Sequence, residues 1–343
     1  MSSIRDVAEK ARVSITTVSR VLNDSSSVTD STRRKVKRAM AELDYKPNPS
    51  ARALRNNRTN LIALVIPELV NPYFSAIAEG VQDVVRQAKL QLVLCNSGTN
   101  EKAELDYLEL LPHKQVDGLI LATPSLGPNR ESERRLLELA RKAYPIVSLG
   151  RRLNGRTVYF DTITTDTSVG MREAMLHLFE NGHTRIAYFG APAGVATTRL
   201  DTYKSMLSTR GLFVEDDLIF STDLTLESGY KLAQKLWEQD QRPTAILAVN
   251  DMVAIGAILA LQEQNIEIPR QMSIIGFDDI PMASIMRPHL TTVAQPKYDL
   301  GRLAAERLIG RLEGTIKSFE CISLSTRLVI RESTKSWTVD PKE

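Results

Sequence analysis

The first 22 residues carry two short apolar stripes at helical spacing, separated by a polar turn. The first stripe recurs every three or four residues and consists of Ile4, Val7, Ala8 and Ala11. Ser14 then offers a hydroxyl that can accept a hydrogen bond from the first turn of a new helix. The second stripe consists of Val18, Val21 and Leu22. This pattern predicts helix, tight turn and helix at the spacing of a DNA-reading helix-turn-helix motif.

The second helix has a face that lies away from its apolar stripe. That face carries Ile15, Thr16, Thr17, Ser19 and Arg20. Short side chains would let the helix lie deep in a major groove, and the Arg20 guanidinium can donate a forked pair to guanine O6 and N7. An ordinary helical hairpin with a solvated polar face has the same periodicity. The apolar pattern alone therefore leaves both interpretations open.

The distribution of charge favours the DNA-reading interpretation. Residues 1–60 contain 13 Lys and Arg against 6 Asp and Glu, a net charge of +7. The remaining chain contains 31 basic and 35 acidic residues, a net charge of −4. A third helix predicted at residues 32–43 adds five of the basic side chains and an apolar face that can cover the first two helices. This asymmetry indicates a polyanionic partner for the N-terminal part only.

Residues 44–60 connect the basic part to the rest of the chain. Pro47 and Pro49 interrupt regular structure there, and residues 50–55 allow a helix of only about two turns. A free helix of that length is marginal in water. We therefore expect this segment to fold only when a partner holds it.

From residue 61 onwards, apolar strand-like runs alternate with helical stretches. The candidate strands lie at residues 61–66, 90–95, 118–122, 146–149, 158–161, 186–189, 219–221, 245–249, 273–277 and 291–294. Continuous apolar strands separated by helices indicate parallel sheets that are covered on both faces. Ten strands exceed one doubly wound sheet. The pattern therefore predicts two α/β subdomains, with a break near residues 161–166.

In open α/β sheets, ligands bind beyond the carboxyl ends of the strands. The candidate ligand residues that follow the predicted strands are Asn71, Tyr73, Phe74, Arg151, Arg199, Asn250, Phe277, Asp278 and Gln295. Aromatic walls with amide, carboxylate and guanidinium tips suit a small polar ring such as a sugar or a nucleoside. Each of these residues could instead be a helix cap or a strand-end ion pair. We favour that second interpretation for Asp251 and Asp279.

Several motifs resemble the lac repressor / galactose repressor family of bacterial transcription regulators. In the N-terminal part they are Asp6-Val7-Ala8, Val13-Ser14, Thr17-Val18-Ser19-Arg20-Val21-Leu22-Asn23, Tyr45-Lys46-Pro47-Asn48 and Ala51-Arg52-Ala53-Leu54. Further along they include Asn71-Pro72-Tyr73-Phe74, Ile274-Ile275-Gly276-Phe277-Asp278 and Thr291-Thr292-Val293-Ala294-Gln295-Pro296. The resemblance extends to about residue 334 and so covers nearly the whole chain.

The resemblance implies an all-α helix-turn-helix head followed by an α/β body. The body is expected to consist of two doubly wound parallel-sheet subdomains of periplasmic-binding-protein type. We expect the head at residues 1–47 and a hinge helix with linker at 48–60. The N-terminal body subdomain would comprise residues 61–161 and about 292–322, and the C-terminal one residues 162–291 and about 323–343.

The resemblance also implies roles for individual residues. Ser14, Asn23 and Arg52 join the DNA-contacting set, and Leu54 takes the position of a leucine that wedges between base pairs when the hinge helix pairs in the minor groove. The nine candidate ligand residues would line the family's effector cleft. Gly150 departs from the pattern, because sugar-binding relatives usually have an acidic residue before the arginine. The resulting positive charge would also suit a phosphorylated or carboxylated effector.

These observations predict a cytoplasmic, nucleoid-associated regulator, most simply a repressor, that binds a pseudo-palindromic double-stranded operator as a homodimer under control of a small effector. An alternative is a regulator whose DNA affinity is raised by a corepressor or a partner protein. An enzyme on two α/β domains, or a transport receptor, would leave the basic head unexplained. No heptad pattern follows Ile330, which favours a dimer over a tetramer.

Other features of the composition argue against catalysis and membrane insertion. The sequence has no glycine-rich phosphate loop, and its four histidines lack metal-ligand spacing. We therefore expect no enzymatic activity, no cofactor and no metal. Apolar runs fall short of membrane-spanning length. Cys95 and Cys321 lie far apart in strand-like runs, and we expect both to be buried free thiols in a reducing compartment.

Overall fold

The structure is a computed structural model that describes residues 2–22, 27–45, 58–98, 100–113, 116–123, 131–150, 159–192 and 196–337. The chain separates into two compact units, Met1–Thr59 and Asn60–Glu343. Four of the predicted site residues, Asn23, Arg52, Leu54 and Arg151, lie outside the described residues. Among the residues that are described, no helix is long and apolar enough to cross a membrane.

The described residues of the first unit form three helices, α1 (Ile4–Ala11), α2 (Ile15–Leu22) and α3 (Asp30–Glu42). Ser14 caps α2 as predicted, because its Oγ accepts from the backbone N–H of Thr17 at 3.1 Å. The apolar stripes of the three helices meet in one core formed by Val7, Ala8, Ala11, Val18, Val21, Val36 and Ala39. The helix-turn-helix prediction is confirmed, and the third helix begins two residues earlier than expected.

The second unit alternates strands with helices. Its strands are β1 (Leu61–Ile66), β2 (Gln91–Asn96), β3 (Gly118–Leu121), β4 (Ile146–Leu149), β5 (Asp161–Asp166), β6 (Ile186–Gly190), β7 (Ile219–Ser221), β8 (Ala245–Ala248), β9 (Ser273–Asp278), β10 (Thr291–Ala294), β11 (Cys321–Ser325) and β12 (Arg327–Val329). Its helices are α4 (Pro72–Gln87), α5 (Glu101–Leu110), α6 (Glu131–Arg141), α7 (Thr167–Glu180), α8 (Thr197–Thr209), α9 (Leu226–Trp237), α10 (Asp251–Glu263) and α11 (Lys297–Leu312).

The strands form two six-stranded sheets. The first sheet has the order β11-β5-β4-β3-β1-β2, and the second has the order β12-β10-β9-β8-β6-β7. Every pairing is parallel except that of β12 with β10. The strands in the middle of each sheet, such as β3 and β8, are buried along their whole length because helices cover both faces. The predicted fold class is therefore confirmed.

The fifth strand is the main correction to the predicted elements. It was expected at residues 158–161 and instead spans Asp161–Asp166. Its sequence, DTITTD, has one apolar residue and reads as a loop, yet it pairs with β4 on one side and β11 on the other. β11 and β12 were not predicted, because they are short and only partly apolar.

The chain crosses between the two sheets three times, and each crossing lies a few residues from its expected position. Residues 162–166 belong to the first sheet through β5, whereas they were expected in the C-terminal subdomain. Residues 292–294 belong to the second sheet through β10. Residues 323–325 belong to the first sheet through β11. The helix between the last two crossings, α11, packs on α4 and on β3 and β4, as expected for the first sheet.

The two cysteines differ in their surroundings. Cys95 is a buried free thiol, as predicted, and Cys321 is a free thiol that is exposed. The prediction for Cys321 was wrong because β11 is the outermost strand of its sheet, so that alternate side chains of this strand point to solvent.

Candidate functional site

The last residue of β9, Asp278, lies at the centre of the candidate ligand site. Its carboxylate is only 5 % exposed and accepts from Nε2 of Gln295 at 2.6 Å. Burial raises the pKa of Asp278 to about 6, and the nearby Arg199, Gln295 and Lys297 oppose that rise. Because a buried carboxylate needs such partners, Asp278 is ionised at neutral pH only at the expense of stability.

Gln295 joins Asp278 to the first sheet. It lies between β10 and α11, where the chain crosses from the second sheet to the first. Its Nε2 donates to Asp278, and its Oε1 accepts from Oγ1 of Thr165 at 2.6 Å. Thr165 belongs to β5 of the first sheet and was not among the predicted site residues. Three side chains therefore connect the two sheets at the crossing.

Arg199, in the first turn of α8, lies over the ring of Phe277. Its guanidinium carbon is 3.8 Å from the ring centroid, and Nη1 donates to the backbone carbonyl of Val249. Its Nε is buried and has no hydrogen-bond partner among the described residues. A buried donor that lacks a partner is rare in folded proteins. A ligand acceptor would satisfy this N–H.

Tyr73 and Phe74 begin α4 and stand edge to face, with ring centroids 5.1 Å apart. Tyr73 packs against the apolar cores of both sheets. Burial raises the pKa of the Tyr73 hydroxyl, and the negative charge of Asp278 raises it further. The Tyr73 hydroxyl therefore lies close enough to Asp278 and Arg199 for both charges to affect its pKa.

A small cavity that is partly open to solvent lies beside Tyr73 on the side of the first sheet. It is lined by Tyr73, Ile77, Ala122, Leu149, Gly150, Thr164, Thr165 and Leu300. Most of these side chains are apolar. The lining from the first sheet is thus largely apolar, whereas the charged side chains Arg199 and Asp278 come from the second sheet.

The two asparagines of the predicted site act as helix caps. Oδ1 of Asn71 accepts from the N–H of Tyr73 at 3.0 Å, at the start of α4. Oδ1 of Asn250 accepts from the N–H of Val253 at 2.8 Å, and its Nδ2 donates to the carbonyl of Leu224 at 2.9 Å. Both follow a strand and cap the next helix, and the amide oxygen of each already accepts from the backbone.

The two aspartates assigned to structural roles have them. Asp279 pairs with Arg331 at 2.6 Å. Asp251 is fully buried and accepts from the N–H of Ile280 at 2.8 Å and from the hydroxyl of Thr292. Burial raises the pKa of Asp251 well above its usual range. Both carboxylates are therefore already engaged by protein groups, and neither is the main ligand-binding group of the site.

The head presents α2 to solvent in the manner that the sequence predicts. Ser14, Ile15, Thr16 and Arg20 are exposed, and Thr17 and Ser19 are half-buried. The hydroxyls of Ser14 and Thr17 are 2.9 Å apart. The apolar stripe of α2 is turned inward, since Val18 and Val21 are buried. One continuous polar face with a single arginine therefore remains open to a partner.

Two known families match the chain. Residues 3–48 match "Bacterial regulatory proteins, lacI family", and residues 175–334 match "Periplasmic binding protein-like domain". The chain is 37 % identical to the HTH-type transcriptional regulator DegA of Bacillus subtilis (strain 168), over 97 % of this chain and 98 % of the relative. It is 34 % identical to the catabolite control protein A of Priestia megaterium, over 97 % and 99 %.

Several solved structures match nearly the whole chain, among them the following two. One is the lac repressor dimer bound to operator and the anti-inducer ONPF, with 28 % identity, a TM-score of 0.83, and coverage of 97 % of this chain and 99 % of that one. The other is a complex of the transcriptional regulator CelR with cellobiose, with 29 % identity, a TM-score of 0.72, and coverage of 97 % and 100 %.

Proposed function

The chain belongs to the lacI family of bacterial regulatory proteins, and we propose that it represses transcription as a homodimer whose operator affinity depends on a small polar effector. It is a DNA-binding transcription regulator and not an enzyme. The observation that carries the effector proposal is the buried Nε of Arg199 above the Phe277 ring, which has no hydrogen-bond partner in the part of the chain that the structure describes. We propose that the protein acts in the cytoplasm, on the nucleoid.

The exposed face of α2 supports operator reading by Thr16, Thr17 and Arg20. Two heads would place this face in successive major grooves of a pseudo-palindrome. Ser14, Ile15, Ser19, Asn23 and Arg52 complete the proposed DNA-contacting set, and Leu54 is the proposed wedge in the central minor groove. The net charge of +7 over residues 1–60 would supply a salt-dependent share of the affinity.

Arg20 provides the sharpest test of operator reading. A preferred duplex is first selected from a random pool with the full-length protein. Replacing Arg20→Ala should then weaken binding to that duplex by about 1–3 kcal/mol and relax one base position. Fluorescence anisotropy with the selected and a scrambled duplex measures both affinities. Equal losses on the two duplexes would contradict base reading by Arg20, and Arg5→Ala serves as a control of equal charge on α1.

The proposed effector is a sugar, sugar phosphate or nucleoside. Relatives support this class: CelR is complexed with cellobiose, and a LacI family regulator from Enterococcus faecium, 28 % identical, holds ribose. The second sheet offers Arg199, Asp278 and Gln295 as hydrogen-bonding groups, and Tyr73 and Phe74 supply aromatic surface. Asn71, Arg151, Asn250 and Phe277 complete the proposed binding set. A ligand that bridges the two sheets would change the angle between them and so the operator affinity.

A thermal-shift panel of pentoses, hexoses, sugar phosphates and nucleosides on the full chain tests the effector proposal. We expect one class to raise the melting temperature of the wild type and to change operator affinity by a reciprocal factor. A ligand that strengthens operator binding would identify the corepressor alternative. The absence of any shift across the panel, with operator binding intact, would contradict small-molecule control and leave a partner protein as the regulator.

The homodimer is supported by the lac repressor relative, which is a dimer on its operator. By resemblance, the dimer face would include residues 73–89 and 103–114. Consistent with this, β2 is the outermost strand of the first sheet and leaves Leu94 43 % exposed on the face that α4 covers. Sedimentation equilibrium of the wild type and of Leu94→Lys tests the face. A lysine there should shift the equilibrium to monomers.

A further inference from the structure

The carboxyl end of β9 has an unusual backbone conformation. Asp278 has a φ of +112° and Asp279 a φ of +53°, two successive non-glycine residues in a region that L side chains rarely adopt. Such conformations persist only where the surroundings hold them. They commonly occur at functional sites, and here the first of the two residues is the buried carboxylate of the candidate ligand site.

Lys297 holds this turn through the backbone. Its Nζ donates to the carbonyl oxygens of both Asp278 and Asp279, the latter at 2.8 Å. The N–H of Asp279 donates to the hydroxyl of Thr292 at 3.3 Å, and the N–H of Ile280 to Asp251 at 2.8 Å. One ammonium group therefore satisfies two carbonyl oxygens that the left-handed backbone has brought together.

The contact made by Lys297 joins the two sheets. Lys297 is the first residue of α11, and α11 packs on α4, β3 and β4 of the first sheet. The turn that it holds belongs to the second sheet. The contact thus crosses the same boundary as the Thr165–Gln295–Asp278 chain, but acts on the main chain instead of the side chain.

We propose that Lys297 is a positioning residue for effector binding: by holding the Asp278–Asp279 turn it keeps the Asp278 carboxylate at Gln295 and couples that carboxylate to α11. This inference rests on the proposed effector site. Without the ammonium, the two carbonyl oxygens would lose their shared donor, and the turn would relax towards ordinary extended backbone. The Asp278 carboxylate would then leave its hydrogen bond with Gln295.

The charge of Lys297 has a second effect that provides an independent readout. The groups whose charges act on Asp278 are Arg199 of α8, Lys297 of α11 and Glu68 of the loop after β1, and Asp278 in turn raises the pKa of the neighbouring Asp251 of α10. Arg199 and Lys297 lower the pKa of Asp278, and Glu68 raises it. Removal of the ammonium should therefore raise the pKa of Asp278 above about 6.

The test uses full-length Lys297→Met, with Lys297→Arg as the conservative variant and Lys235→Met, on the exposed face of α9, as the matched control. Two measurements are made without ligand: a carboxyl ¹³C titration of Asp278, and amide hydrogen exchange over residues 276–284. Lys297→Met should raise the pKa of Asp278 and speed exchange at least tenfold. Lys297→Arg should restore both, and Lys235→Met should change neither.

A double variant separates positioning from general destabilisation. Asparagine is one of the residue types that adopt left-handed backbone most readily. Its side-chain oxygen can still accept a hydrogen bond from Arg331. Lys297→Met/Asp279→Asn should therefore recover part of the exchange protection that Lys297→Met loses. With D-ribose as the probe, Lys297→Met should bind at least tenfold more weakly than wild type.

Unchanged exchange over residues 276–284 in Lys297→Met would overturn the inference, as would equal loosening by Lys235→Met. If Lys297→Met fails to fold, the partial variant Lys297→Gln, which retains one amide donor, must show intermediate exchange or the inference is wrong. A wild type that binds no compound of the panel would contradict the proposed effector class. In that case the titration of Asp278 and the amide hydrogen exchange, which are both measured without ligand, would decide the role of Lys297.

Discussion

The two walls of the candidate cleft are built from different chemistry. The wall from the first sheet is apolar, with Ala122, Leu149 and Leu300 around the small cavity. The wall from the second sheet carries the buried Asp278 and the half-buried Arg199, and among the described residues neither has full hydrogen bonding or charge compensation. The first wall is a finished core surface, whereas the second is a polar surface that is incomplete without a further partner.

This difference indicates which wall recognises the effector and which residues affect closure of the cleft. Polar groups that are buried and under-satisfied are costly, and they discriminate strongly between ligands that satisfy them and ligands that do not. We therefore infer that the second wall selects the effector. The apolar wall and Tyr73 would contribute burial with little selectivity. Gln295 and Thr165 form the connection between the walls, and we therefore expect them to influence how far the cleft opens.

The largest expected effect comes from Arg199→Ala, which removes the unpartnered donor of the second wall. Effector affinity should fall by about 3 kcal/mol, or roughly a hundredfold, because a charged hydrogen bond is lost in a buried place. Isothermal titration with the compound found in the ligand panel measures the loss. Arg210→Ala is the matched control, since Arg210 lies near the end of α8 with its guanidinium 5.7 Å from the Phe179 ring. Equal losses in the two variants would contradict the comparison of the walls.

The next effect concerns stability and pH. The carboxyl of Asp278 ionises at about 6 in the folded protein and near 3.8 in the unfolded chain. Between these values the folded state binds more protons, so the free energy of unfolding falls as pH rises through this window and stays lowered above it. Asp278→Asn should therefore stabilise the protein by about 2 kcal/mol at pH 7.5 and have little effect at pH 4.

Urea unfolding at the two pH values measures this dependence, with Asp201→Asn on the exposed part of α8 as the control. The same Asp278→Asn variant should lose effector response while it retains operator binding. A stability difference that is the same at both pH values would mean that the Asp278 carboxylate is not under strain from burial. The polar wall would then be no different in kind from the apolar one.

The apolar pattern along the chain predicted most of this architecture. β1 and β4 lie at the predicted residues, because all of their side chains except that of Ser148 are apolar and both faces of the sheet are covered. β5 was misplaced because its pattern is one of threonines and aspartates. Its strand conformation depends on β4, β11 and two arginines of α11, which pair with the buried Asp161. None of these partners is visible in the local sequence.

The same reason limits prediction of the site. The rule that ligands bind beyond strand ends identified Arg199, Asp278 and Gln295, because each follows a strand with a clear apolar pattern. It could not identify Thr165, since the strand that places it was expected to end at residue 161. Lys297 was also missed. Its role depends on the left-handed backbone of Asp278 and Asp279, and the residues around these two positions do not predict a turn of that kind.

The smallest expected effect comes from Thr165→Val, which removes the hydrogen bond between the walls and leaves Arg199 and Asp278 in place. Gln295 would lose the donor to its Oε1, at a cost of about 1 kcal/mol, and the melting temperature should fall by about 2–4 °C. Thr164→Val is the control, because the Thr164 hydroxyl makes only a long contact of 3.4 Å to a backbone carbonyl. Calorimetry measures the melting temperatures, and X-ray scattering measures the closure of the full chain.

If Thr165→Val binds effector normally but leaves operator affinity unresponsive to it, recognition and closure reside in different walls, as the comparison requires. A loss of effector affinity as large as that of Arg199→Ala would place recognition on both walls.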